Sequence, residues 1–116
     1  MQADTYVDVR HDASEVGRER ECMAFDEGLA LMEKARAAPD VPAHGREAAR
    51  YMQTLWGFLI RDLTDPANDL SDELKGNLIS IGLWVIKETD AIIAGRDQNW
   101  AALIDVNRSI RQGLGQ

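Results

Sequence analysis

Residues 70–94 read LSDELKGNLISIGLWVIKETDAIIA, and the fold turns on how this stretch is read. It opens with a helix start. Ser71 is placed as an N-cap whose hydroxyl accepts from a backbone N–H of the first turn, and Asp72 and Glu73 set negative charge against the positive end of the helix dipole. Leu74, Leu78, Ile81, Val85 and Ile92 then recur at the three- and four-residue spacing of one helix face. Ile79, Leu83, Ile86 and Ile93 form a second apolar row beside it. At roughly 100° per residue the apolar arc covers well over half the circumference. The remaining stripe is mostly small: Gly76, Ser80, Ala91 and Ala94, with Lys87 among them. A helix this apolar needs cover on several sides, so the expectation is a central helix with the others packed around it. Gly95 follows, suited to the left-handed position that closes a helix.

Upstream, Ala43 to Leu63 is expected to form a second helix. Ala48, Ala49, Met52, Trp56, Leu59, Ile60 and Leu63 share one face, and Tyr51, Leu55 and Phe58 lie on its flank. Before it, Arg18 to Ala38 shows a stripe of Cys22, Phe25, Leu29 and Met32, with Gly28 and Ala35 allowing close approach. Pro39 and Pro42 bracket the turn between these two helices. Residues 1–17 are polar and weakly patterned, and read as an arm that is flexible or loosely docked. Downstream, a short helix from Asn99 to Gln112 carries Trp100, Leu103, Ile104, Val106 and Ile110, with Gly113 and Gly115 as its stop. There is no strand-like alternation and no repeat. The expected fold is all-α: a bundle of three long helices and a short C-terminal one over residues 18–116.

With 116 residues, the chain is long enough for one domain that buries its own core. A net charge of −7 and a pI near 4.7 argue against a nucleic-acid partner, since phosphate contacts call for a basic face. The one cysteine, Cys22, lies on an apolar stripe and reads as a buried, inert thiol. No secretory leader is apparent, and the apolar run Leu78–Ile86 falls far short of the ~20 residues a membrane span needs. A cytoplasmic protein is expected.

No constellation speaks for catalysis. Asp62, Asp65, Asn68, Asp69 and Asp72 crowd one turn, but calcium-loop spacing is missing, and turn and cap duties account for them. His11 and His44 with the single cysteine assemble no metal set. There is no phosphate-binding glycine loop and no marked acid/base couple, so neither an enzyme nor a cofactor is expected. What stands out is apolar and aromatic surplus. Trp56 reads as core, whereas Trp84 lies about 120° off the central stripe of its helix and Tyr51, Leu55 and Phe58 are off-centre on theirs. These either meet neighbouring helices or border a groove of the kind that holds an amphipathic helix.

The motifs themselves resemble the FlaF family of bacterial flagellar regulators. The similarity is carried by Leu55-Trp56, Asp62-Leu63, Asn68, Leu70 and the run Asn77-Leu78-Ile79-Ser80-Ile81-Gly82-Leu83-Trp84-Val85. Arg18-Glu19, Leu103-Ile104-Asp105-Val106-Asn107 and Gly113-Leu114 extend it, while Ser71 stands where the family pattern has proline. The resemblance implies a small cytoplasmic helical protein needed for flagellin synthesis and export. Such a protein would bind flagellin as an export chaperone and work alongside the translational regulator FlbT. The expected site is a groove bordered by Tyr51, Leu55, Phe58 and Trp84, with Asn77, Ser80 and Asn107 as polar contacts. The alternative is a post-transcriptional regulator that acts through FlbT or contacts flagellin mRNA through Arg18, Arg20, Lys34, Arg36, Arg108 and Arg111. Interleaved Glu15, Glu19, Glu21 and Glu33 weaken that second reading.

Overall fold

The computed structural model describes residues 2–96 and 98–114, with side chains from residue 17 onward. Four helices are found among the described residues: α1 (Gln2–Ala37), α2 (Pro42–Thr64), α3 (Asp72–Ile93) and α4 (Trp100–Leu114). Among the described residues there is no strand, and no helix is long and apolar enough to cross a membrane.

Local chemistry sets most of the boundaries. Pro42 sits in the first turn of α2, where a missing N–H costs nothing. Ser71 Oγ accepts from the Leu74 N–H at 3.2 Å and starts α3. That helix ends in a Schellman motif: Gly95 at φ +79° donates its N–H to the Ile92 carbonyl, and Arg96 donates to that of Ala91 at 2.8 Å. The crowded acidic turn is held by its own side chains. Asp65 Oδ1 accepts from the Ala67 N–H, Asn68 Oδ1 accepts from the Leu70 N–H, and Lys75 Nζ donates to the Asn68 carbonyl.

Two helix ends differ from expectation. α1 begins at Gln2 instead of near Arg18, because no proline interrupts the segment and Gly17 alone costs a helix only ~1 kcal/mol. The docking expected of the arm would turn on side chains of residues 1–16, which lie outside the described residues. α4 runs through Gly113 to Leu114, since Ile110 and Leu114 pack against the core and outweigh one glycine.

The larger correction concerns the centre of the bundle. The helices run up, down, up, down. Tyr51 Oη donates to the Ala24 carbonyl at 2.7 Å between α1 and α2. Gln53 Nε2 donates to Asp90 Oδ1 at 2.6 Å between α2 and α3. Arg111 and Arg108 reach Asp26 and Glu33 between α4 and α1. The extensive helix pairings are α1 with α2, α2 with α3, and α1 with α4. So α3 is not the hub. Its buried residues form one line, Gly82, Val85, Thr89 and Ile92, while Leu83 of the second apolar row is 58% exposed.

The hub is Trp56 on α2, 1% exposed. Its ring meets Phe25 of α1 edge-on, with centroids 6.0 Å apart and planes at 87°. Its Nε1 donates to Asn107 Oδ1 of α4 at 2.8 Å. On the third side it lies so close to Gly82 of α3 that a Cβ there would fall 2.8 Å from Trp56 Cε3. Gly28 serves a similar close approach between α1 and Met52, in keeping with its place beside the core stripe. Gly57 is different: it is exposed on α2, and a Cβ added there would meet nothing within 4 Å. Gly57→Ala is therefore expected to stabilise the fold by roughly 1 kcal/mol through helix propensity alone. Urea unfolding checks this, and a loss of stability would show that the site is packed after all.

Candidate functional site: a groove at the open edge of the bundle

An up-down bundle of four helices has four edges, and here three are closed by extensive packing. The fourth lies between α3 and α4. Near the short 94–99 connection the edge is shut, for Ile92 and Trp100 both approach Gly45 of α2. Toward the other end the two helices leave a groove of about 440 Å³. Its floor is Phe25 and Trp56, with Leu59 and Leu63 of α2. One wall is Leu70, Leu74 and Leu78; the other is Ser109, Ile110, Gly113 and Leu114. Leu74 is 44% exposed, and Leu70, Ser109 and Gly113 are exposed too, so the groove opens to the surface.

The lining follows from sequence spacing. Leu74 and Leu78, Leu59 and Leu63, and Ile110 and Leu114 are each four residues apart, which stacks each pair on one helix face. Three such pairs converge at the end of the bundle where no helix closes the edge. Two carboxylates complete the lining: Glu21 on α1 and Asp62 on α2. Burial pushes the Glu21 carboxyl above its ordinary value of 4.5, and the negative charge of Asp62 adds to the shift. A carboxyl raised by folding contributes stability that is fully present below about 4.5 and lost as pH rises through its folded value. At neutral pH the Glu21 charge therefore opposes folding.

The residues expected to border a groove do not assemble one. Tyr51 faces α1 through its bond to Ala24, whereas the edge of α2 that meets α3 carries Gln53. Two residues apart on a helix means about 200° apart, so Tyr51 and Trp84 lie on different sides of α2. Tyr51, Leu55 and Trp84 are partly buried against the core instead. Phe58 is 63% exposed, with the Arg61 guanidinium 5.9 Å from its ring centre. Asn77 and Ser80 are exposed on α3. Asn107 is sealed inside at 0% exposure, where Oδ1 accepts from Trp56 and Nδ2 donates to the Leu103 carbonyl at 2.7 Å. It bridges helices and touches no surface.

Three of the six basic candidates, Arg36, Arg108 and Arg111, have carboxylate partners, and no ion pair among the described residues includes Arg18, Arg20 or Lys34. Arg36 and Arg108 pair with Glu33, and Arg111 pairs with Asp26, whose carboxyl is held below its ordinary range by the Arg111 hydrogen bonds. The Arg108–Glu33 and Arg111–Asp26 pairs clip α4 to α1 and reduce the local positive charge that a phosphate backbone would need.

A family model described as flagellar protein FlaF matches residues 2–114, nearly the whole chain. No curated protein and no solved structure gives a match.

Proposed function

The chain belongs to the FlaF family of flagellar proteins, and from that premise we propose that it binds flagellin, holding an amphipathic helix of it in the α3–α4 groove. Flagellin's terminal helices are unpaired before assembly, and an apolar face left in water favours aggregation. A receptor that covers that face keeps the chain soluble until export. The role is binding in the cytoplasm, without catalysis or a cofactor, alongside FlbT as a co-regulator.

One observation carries this reading: a largely apolar groove, at the bundle edge that, among the described residues, lacks extensive helix pairing. An α-helix with its side chains is about 10–12 Å across, so the occupant inserts side chains and not its backbone. Residues at i, i+3 and i+4 of an incoming helix suit the paired leucines that line the walls.

The test is co-elution of purified flagellin with the wild-type chain and with Leu74→Glu. Leu74 is half exposed, so a glutamate there is tolerated by the fold while charging the groove. Binding is expected to fall by a factor of about 100 or more, as for an interfacial anchor worth ~3 kcal/mol. Phe58→Asp, outside the groove, is expected to bind as wild type. Absence of wild-type co-elution, or equal binding by Leu74→Glu, overturns the reading.

A further inference from the structure

The groove is not uniform. Its α1–α2 end carries Glu21 and Asp62 beside Phe25, Leu59 and Leu63. Further along α1, toward α4, acidic groups have arginine partners: Asp26 has Arg111, and Glu33 has Arg36 and Arg108. Toward the groove the pattern stops. No ion pair among the described residues includes Glu21 or Asp62, and α4 presents Gly113 and Leu114 there in place of a basic residue. Burial disfavours the charge on Glu21, and Asp62, of the same sign, adds to this.

Two carboxylates on an apolar wall are a poor arrangement for an empty groove and a good one for a cationic visitor. Resting on the groove reading above, we propose that the helix bound there inserts a lysine or arginine between Glu21 and Asp62, and that this cation sets the orientation of the helix. The apolar walls supply contact area, which fits either direction of an amphipathic helix. A single charge at one end fits only one. A guanidinium suits the place best, because its fork can donate to two carboxylates at once.

The experiment uses the full chain and purified flagellin as probe. Affinities are measured for wild type, Leu74→Glu and the double variant Glu21→Gln with Asp62→Asn, at low and moderate salt, with thermal unfolding of each free protein. The double variant keeps side-chain shape and is expected to bind roughly tenfold weaker or worse, with a flatter salt dependence. Its melting temperature is expected to equal or exceed that of wild type, since a repulsive pair has been removed. Replacing the lysines and arginines of flagellin's terminal helices by glutamine, one at a time, is expected to reproduce the loss at one position. If the double variant binds within twofold of wild type while Leu74→Glu fails, the cation is wrong and the groove stands. If wild type does not bind, or Leu74→Glu binds equally, the groove reading falls and the cation with it.

Discussion

Trp56→Ala is expected to remove a large part of the protein's stability. Removing a buried tryptophan side chain costs about 3–5 kcal/mol through lost burial and the cavity left behind. The cost here is at the upper end, because the ring meets Phe25, Gly82 and Asn107 on three different helices. The loss of Nε1–H also strands Asn107 Oδ1 in the core, and an unsatisfied buried acceptor adds about 1–3 kcal/mol. A domain of this kind has roughly 5–15 kcal/mol in hand. Urea unfolding monitored by circular dichroism checks this. Trp56→Phe separates the contributions, since it retains most of the ring contact and loses the hydrogen bond. If Trp56→Ala costs under about 1 kcal/mol, the three-way junction is not what holds the bundle.

Gly82→Val is expected to have the next largest effect, from the opposite cause. A Cβ at this position falls 2.8 Å from Trp56 Cε3 and 3.0 Å from Ile60 Cδ1. Trp56 does not yield easily, for it is pinned by its hydrogen bond and its edge contact with Phe25. A branched side chain must then push α3 away from α2. Overpacking of this kind typically costs about 1–3 kcal/mol, and the separation also widens the groove floor. Gly57→Ala is the matched control, with the opposite sign. Unchanged stability in Gly82→Val would mean that α2 and α3 pack less tightly than that 2.8 Å approach implies.

Much of the fold was legible from residue spacing. Ser71 and Gly95 mark the ends of α3, and Trp56, Met52 and Leu63 lie where a single helix face puts them. What periodicity does not give is the neighbour each face meets. A helix apolar over half its circumference must be covered, but the cover need not come from its own chain. Leu74 and Leu78 were therefore legible as core residues and turn out to wall a groove. Tyr51, Leu55 and Phe58 were legible as off-centre, yet their side of α2 depends on how α1 approaches, and a helix's own spacing holds no record of that. Asn107 illustrates the same gap. A buried asparagine and a surface one are the same letter until Trp56 is placed opposite. The signal that was available lies in three four-residue apolar steps, at Leu59 and Leu63, Leu74 and Leu78, and Ile110 and Leu114, near the ends of three different helices.

Trp56 is at once the junction of the bundle and part of the groove floor, so the protein carries a built-in optical reporter. Its indole is shielded by the core on one face and borders the cleft on another. A guest settling there changes the polarity that this ring senses and shifts its emission, without any attached dye. With Trp84 and Trp100 changed to phenylalanine, the remaining tryptophan emission would come from the one indole that can watch the cleft fill.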